Sequence, residues 1–440
     1  MNPRFSTHVA WTFATRLLMI FNSVVAGIIV ARWLGAKGVG ELAVINFAVA
    51  TVVQLGSFGL PSSNAYFILQ DQERFRSGAI NSLIFALLVG SVLALALSAT
   101  GAFRPDWFGF VSPELIRIAA ISIPFQLITL IGLNILLAVG KIKAFNLLDL
   151  AGQSFVLINA VLVLILLNRG LGTLVTLNTA AAILVSIVVA LLVLSARTLA
   201  QSQWRADLSL LRRMIAYGIK FHIAILAAAI IFRADLLVVN HFRGSAEAGV
   251  YSVATQFGML LMLLPGVIAT MLFPRVTAEQ DQHGETTSLV TRYTTFVTFF
   301  CCLAAVPFSL LLPVIYGVEF TESSRLLLIL LPGVYLVGVE SVLVQHFNAL
   351  GLPRIIPVYW VVTLVINLAL VFWLVPRLGA HGAALASTAS YALIFGLVTR
   401  QFLAATGQSF SNVFILRRGE LRQLLSLSTF VGATRGSLRG

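Results

Sequence analysis

Long apolar runs recur along the whole chain, and they constrain the fold more than any other feature. The runs at residues 82–99, 155–167, 180–194 and 358–375 contain no charged side chain. A helix of roughly 20 apolar residues crosses a hydrocarbon core of about 30 Å, and it satisfies its backbone hydrogen bonds without water. The runs lack the alternation of barrel strands. They predict an all-α, polytopic membrane protein.

Composition excludes a water-soluble protein. Apolar residues make up 59% of the chain and charged residues only 10%, whereas about a quarter of a soluble domain is charged. The net charge of +13 therefore does not indicate a nucleic-acid partner. The two cysteines, Cys301 and Cys302, are adjacent, which fits neither a disulfide framework nor a metal-ligand spacing. We predict no metal and no cofactor.

Charged and Gly/Pro-rich segments divide the chain into twelve predicted helices. They span residues 9–31, 41–69, 78–100, 114–139, 144–167, 173–196, 211–241, 247–274, 288–315, 322–350, 355–375 and 381–403. Sorting the Lys and Arg residues of alternate connections gives eighteen on one side and eight on the other. Since cytoplasmic connections carry the excess of Lys and Arg, both termini are predicted to be cytoplasmic.

The two halves of the chain share residues at a nearly constant offset. Gly35 and Gly40 recur as Gly244 and Gly249, 209 positions later. Three further pairs are 208 positions apart: Pro124 and Pro332, Asn159 and Asn367, and Arg169 and Arg377. A duplicated unit of six helices returns to the same orientation in the membrane. We therefore predict two pseudo-symmetric six-helix bundles around a central cavity.

The repeat suggests a division of the chain into four parts. These are an N-terminal bundle (1–198), a cytoplasmic linker (199–210), a C-terminal bundle (211–404) and a basic cytoplasmic tail (405–440). The tail carries arginines among Leu and Phe, which suits either contact with an anionic leaflet or a disordered segment.

Charged residues inside apolar helices indicate where a polar cavity lies, because they are costly in hydrocarbon. Arg16 in helix 1 is one candidate, although it could also snorkel to the interface. Helix 7 adds the candidates Lys220, His222, Arg233 and Asn240. On a continuous helix, His222, Arg233 and Asn240 share one face. A capping role for Arg233 and Asp235 is the alternative.

Two buried acids and four prolines complete the candidate site. Asp235 and Glu340 are candidates for carrying a coupling proton or sodium ion, or else form structural ion pairs. The prolines are predicted to break helices at positions where a transporter exposes backbone to its substrate, with ordinary kinks as the alternative; they are Pro61, Pro124, Pro265 and Pro332. No phosphate loop, metal cluster or nucleophile with a base indicates an enzyme.

Four stretches resemble a known family. They are ARWLGAKGVGELA from Ala31, RADLLVVN from Arg233, AGVYSVA from Ala248 and LGAHGAALA from Leu378. Together they are similar to the polysaccharide-biosynthesis flippases, of the O-antigen or lipid-linked-oligosaccharide type, in the multidrug, oligosaccharide-lipid and polysaccharide exporter superfamily. The stretches lie in both halves, so the resemblance covers nearly the whole chain.

The resemblance implies a transporter that is not an enzyme. Such a flippase moves an undecaprenyl-pyrophosphate-linked oligosaccharide across the bacterial inner membrane by alternating access, for O-antigen of lipopolysaccharide or for exopolysaccharide. Arg16, Lys220 and Arg233 would then hold the diphosphate. The implied partners are membrane lipid, a polysaccharide polymerase and glycosyltransferases, and the expected state is a monomer. The alternatives are a multidrug and toxin extrusion exporter, for which acidic cavity residues are expected, and a polysaccharide polymerase or ligase, for which a large outer loop is expected.

Overall fold

The computed structural model describes residues 3–70, 75–109, 111–196, 206–351, 353–417 and 420. In these residues the regular structure is helical, and eleven stretches are long and apolar enough to cross a membrane. The first stretch, Ala14–Gly56, has 43 residues, about twice the length that one crossing needs. It bends at Gly35, whose φ of 65° and ψ of −174° favour glycine. Its two arms bring the number of crossings to twelve, which confirms the prediction.

Seventeen α-helices occur in the described residues. The N-terminal half contains α1 (Pro3–Gly56), α2 (Leu60–Gln70), α3 (Phe75–Phe103), α4 (Pro113–Ala120), α5 (Ile123–Ala138), α6 (Ile142–Ala160) and α7 (Leu171–Leu194). The C-terminal half contains α8 (Leu208–Ile231), α9 (Ala234–Arg243), α10 (Ser245–Leu261), α11 (Leu263–Glu279), α12 (Glu285–Ser309), α13 (Leu312–Tyr316), α14 (Thr321–Ala349), α15 (Ile355–Leu378), α16 (Ala380–Thr406) and α17 (Phe410–Phe414). A π-helical turn, Val161–Leu166, extends α6.

Several crossings are built from two helices with a break between them. Breaks separate α1 from α2, α4 from α5, α8 from α9 and α10 from α11. Pro61, Pro124 and Pro265 each lie in the first turn after a break, where a missing N–H leaves no bond unmade. Contrary to the expectation from sequence, α14 runs through Pro332 without a break. Close packing of the neighbouring Gly333 against Thr388 of α16 supports the helix there.

The two halves form two lobes that meet at paired glycines. A Cβ atom added to Gly40 would collide with the carbonyl group of Ser245, and one added to Gly249 would collide with that of Ala36. Gly40 and Gly249 are 209 positions apart, and so are Ala36 and Ser245. The contact is therefore reciprocal, and the duplication that the sequence indicates is present in the fold.

A second reciprocal pair of contacts lies beside these glycines. Arg32 Nε donates to the carbonyl oxygen of Ile315 at 2.9 Å, and His241 Nδ1 lies 2.6 Å from the carbonyl oxygen of Asp106. His241 follows Arg32 by 209 positions, and Ile315 follows Asp106 by the same number. In each lobe, the connection between the third and fourth crossings (at Asp106 or Ile315) thus packs against the other lobe near its first bend (at Arg32 or His241). We call this the crossover end.

The lobes also touch along the seam between α2 and α8. Gly59 packs against the backbone of Gly218, and the rings of Tyr66 and Tyr217 stack with their centroids 4.3 Å apart. Near the start of α8, Asp207 accepts a hydrogen bond from the backbone N–H of Leu210 at 3.0 Å. This bond lowers the pKa of the Asp207 carboxyl below its usual value, so Asp207 stays ionised as the helix cap.

Candidate functional site

A cavity of about 770 Å³ lies inside the N-terminal lobe and reaches the C-terminal lobe. The described residues that line it come from α1 and α4–α7, from the break before α5, and from a single C-terminal position, Arg233. The lining mixes apolar side chains with amides and hydroxyls. Amides and hydroxyls are costly in hydrocarbon, so their convergence on one space indicates a wet cavity.

Among the described lining residues, Arg233 alone carries an uncompensated charge. It occupies the N-cap position of α9, directly after the break that ends α8, and its side chain is exposed. Among the described residues its guanidinium has neither a hydrogen bond nor an ion pair. A guanidinium without a counter-ion in a cavity within the membrane favours an anionic ligand, because it presents several donors in a planar fork.

Arg16 reaches the cavity only through Asp149. Its Nη1 atom lies 3.1 Å from Asp149 Oδ2, and the Arg16 side chain is 51% exposed. Asp149 itself lines the cavity. Two more polar bonds join the same pair of helices, from Asn146 to Thr12 at 2.8 Å and from Asn22 to Ser154 at 2.9 Å. Arg16 therefore compensates the charge of Asp149, the only carboxylate among the described lining residues.

Of the other predicted substrate-binding residues, His222 and Asn240 do not line the cavity. Lys220 belongs to α8, and its side chain lies outside the described residues. His222 is buried, and its Nε2 atom has no hydrogen-bond partner among the described residues. Asn240 is fully buried and bonds to the carbonyl oxygen of Phe108 at 2.6 Å and to Ser245 Oγ at 2.9 Å. Asn240 thus belongs to the crossover end.

The break between α8 and α9 explains why these residues separate. The sequence analysis placed His222, Arg233 and Asn240 on one helical face, which assumes a continuous helix. In the structure the helix is interrupted at Phe232 and Arg233. Because the angular phase is not carried across such a break, Arg233 turns into the cavity while His222 and Asn240 are buried elsewhere.

The two candidate coupling carboxylates are both buried in the C-terminal lobe. Asp235 is 1% exposed; it accepts hydrogen bonds from the Tyr251 hydroxyl and from Ser387 Oγ at 2.7 Å. Glu340 is 2% exposed, and its Oε1 atom has no hydrogen-bond partner among the described residues. Neither residue lines the cavity.

Sequence reasoning missed the amides of the cavity wall. They are Asn46, Gln54, Gln126, Gln153 and Asn178. The sequence does indicate them, because each lies inside a predicted helix, where an amide is costly without a partner or water. Only charged residues and prolines were considered as site candidates in these helices. In the described part of the chain, no group of three or more His, Cys, Asp or Glu side chains is arranged to hold a metal ion.

Known proteins resemble the chain in both sequence and fold. A probable low-salt glycan biosynthesis flippase of Haloferax volcanii, Agl15, is 26% identical over 168 residues. That match spans 36% of this chain and only 35% of the length of Agl15.

Solved structures with low sequence identity share the fold over most of both chains. A lipid II flippase, MurJ, in an inward closed conformation superposes with a TM-score of 0.71 at 17% identity, covering 91% of this chain and 90% of that one. An inward-facing multidrug resistance MATE family transporter superposes with a TM-score of 0.68 at 16% identity, covering 89% and 96%.

A family model described as polysaccharide biosynthesis protein matches residues 29–325. This match spans well over half of the 440 residues and includes the crossover end and all of the cavity except Ser23. The resemblance noted from the four sequence stretches is confirmed: the chain belongs to the polysaccharide biosynthesis protein family.

Proposed function

We propose that this protein is a flippase that translocates an undecaprenyl-pyrophosphate-linked oligosaccharide across the bacterial inner membrane, for assembly of a cell-surface polysaccharide. The observation that carries the proposal is the guanidinium of Arg233, which has no partner among the described residues and faces a wet cavity that reaches from the N-terminal lobe to the C-terminal lobe. A diphosphate cannot enter hydrocarbon unaided, and a guanidinium binds its oxygens with charge-assisted bonds. The family and the flippases named above support this assignment.

Translocation proceeds by alternating access in this proposal. The crossover end faces away from the cytoplasm and is closed in the present conformation by its reciprocal contacts. The lobes then rock apart at this end while the cavity closes toward the cytoplasm. Both termini are cytoplasmic, in agreement with the excess of Lys and Arg on that side.

Asp235 and Glu340 are the proposed coupling carboxylates for a proton or a sodium ion. Asp235 is held by hydroxyl donors, which suit an ionised or ion-bound carboxylate. One carboxylate oxygen of Glu340 has no hydrogen-bond partner among the described residues, and a proton or an ion would satisfy it. Arg16 and Lys220 remain proposed diphosphate contacts. To bind the diphosphate, Arg16 would have to break its ion pair with Asp149.

The protein works as a monomer and a transporter in this proposal. Its partners are membrane lipid, a polysaccharide polymerase and the glycosyltransferases that build the substrate. An exporter of organic cations is the second candidate, since the fold is shared with a MATE transporter. The pairing of Asp149 with Arg16 counts against it, because the cavity then offers no free carboxylate to a cation.

The proposal is tested with purified protein in liposomes. The probe is the undecaprenyl-diphosphate-linked glycan fraction of the source cells, and its leaflet is determined with a lectin that cannot cross the bilayer. Lectin-accessible glycan should appear on the opposite leaflet with wild-type protein. Absence of movement, together with uptake of a fluorescent organic cation, would favour the drug exporter.

A further inference from the structure

The cavity wall is unequally divided between the two lobes. Among the described residues, every lining residue except Arg233 belongs to the N-terminal lobe. The two lobes are related by a duplication, yet the described polar wall comes from one of them. A substrate in this space therefore meets chemically different surfaces on its two sides.

Five amide side chains dominate the polar part of the N-terminal wall. Asn46 and Gln54 lie on the second arm of α1, and Gln126, Gln153 and Asn178 lie on α5, α6 and α7. Each amide offers both a donor and an acceptor in one plane. Five such groups around one cavity suit a ligand with many hydroxyl groups, because a hydroxyl also donates and accepts.

Two of these amides are held in place by neighbours. Gln126 donates to Ser122 Oγ at 2.9 Å, and Asn178 accepts from Asn159 Nδ2 at 2.9 Å. Each bond uses one end of the amide, and the other end has no partner among the described residues. The side chains of Asn46, Gln54 and Gln153 make no hydrogen bond to described residues. The wall thus presents unpaired polar atoms, two of them on fixed amides.

The two sides of the cavity differ in charge. Asp149 is the only carboxylate among the described lining residues, and Arg16 compensates its charge at a distance of 3.1 Å. The N-terminal wall is consequently polar and nearly neutral, while the C-terminal side offers the free cation of Arg233. Sugars match the first surface and a diphosphate matches the second.

We infer that the two lobes share the recognition of one substrate. The amide wall of the N-terminal lobe binds the uncharged sugar residues, and Arg233 of the C-terminal lobe binds the diphosphate. The inference rests on the proposed function and goes further by assigning glycan specificity to one lobe. A bound substrate then bridges the lobes.

The test compares the binding of two probes to the purified full-length protein. One probe is undecaprenyl diphosphate, and the other is the undecaprenyl-diphosphate-linked glycan fraction of the source cells. Gln126→Leu and Gln153→Leu should each weaken the binding of the glycan-linked probe by about 10-fold. The affinity for undecaprenyl diphosphate should stay unchanged in both variants. Arg233→Gln should weaken both probes. Gln153 makes no bond to described residues, so its replacement leaves folding contacts intact.

Asn134→Leu is the matched control. Asn134 lies on α5 like Gln126, bonds only to the carbonyl oxygen of Leu130 on its own helix at 2.9 Å, and is not part of the lining; its replacement should change neither affinity. Equal loss of both probes in the two Gln variants, or no loss, overturns the division between the lobes while the flippase function stands. If wild-type protein binds neither probe better than undecaprenol, the proposed function fails and the inference fails with it.

Discussion

At the residue scale, two arginines near the cavity differ in whether a carboxylate pairs with them. Arg16 has a carboxylate partner in Asp149, whereas Arg233 has none among the described residues and faces the same cavity. Both are charged groups inside apolar helices, and nothing in the sequence distinguishes them. Only the structure separates a compensated arginine from one that is free to bind an anion.

Replacing Arg233 should impair transport without loss of protein. Arg233→Ala is expected to reduce glycan export about 10- to 100-fold, because a hydrogen-bonded charge contributes about 1.5–3 kcal/mol. Arg233→Lys should retain part of the activity. Export is measured in cells that lack their own copy, with protein abundance checked by immunoblot. Arg325→Ala, which removes an exposed arginine paired with Glu322, is the control; full activity of Arg233→Ala would refute the diphosphate contact.

Removing the charge of Asp235 should uncouple transport from its driving ion. Asp235→Asn keeps the shape and the acceptor oxygen but cannot bind a proton or sodium ion as a carboxylate does. Glycan flipping in liposomes is then expected to lose its response to an imposed proton or sodium gradient. Tyr251→Phe removes one donor and keeps the carboxylate, so its response should persist.

Glu340→Gln tests the second carboxylate in the same assay. The side chain is buried and one of its oxygens lacks a partner, so a neutral amide should fold without a large penalty. If Glu340→Gln loses the gradient response and Asp235→Asn keeps it, the coupling carboxylate is Glu340 and not Asp235. An unchanged response in both variants would exclude carboxylate coupling.

At the scale of elements, the glycines of the crossover end set how closely the lobes approach. Gly40→Ala and Gly249→Ala each place a methyl group against backbone of the other lobe, so each should destabilise this contact by about 1–3 kcal/mol. The apparent Tm of the purified protein should fall by several degrees. Gly266→Ala is the matched control, since nothing lies within 4 Å of a Cβ added there, and its Tm should not fall.

The elements also show what the sequence reveals and what it hides. Hydropathy and the repeat offset were sufficient to predict twelve crossings in two lobes, because bilayer thickness fixes helix length. The offset of 209 even identified Gly40 and Gly249, which pack together. The separation of His222 and Asn240 from Arg233 was not predictable, since it depends on a break at Phe232 that no glycine or proline marks. The amides could be recognised inside the predicted helices, but which of them line one cavity depends on how the helices pack.

At the scale of the whole molecule, the fold consists of two lobes related by a duplication. The bends and connections of the two lobes exchange contacts at the crossover end, and both named solved structures have inward conformations. In the proposed cycle these contacts separate whenever the cavity opens to the other side. We expect transport to require this separation.

A cross-link at the crossover end tests whether the lobes must separate there for transport. Cys301 and Cys302 are replaced by alanine, and Arg32→Cys with Val314→Cys places exposed thiols where Arg32 bonds to the Val314 carbonyl oxygen. Within-lobe cysteines at Arg275 and Glu279, which form an exposed ion pair, provide the control. Joining the crossover pair with a bifunctional maleimide should stop flipping in liposomes but leave substrate binding intact, whereas the control pair should flip normally. Flipping at the full rate with the crossover end joined would contradict alternating access.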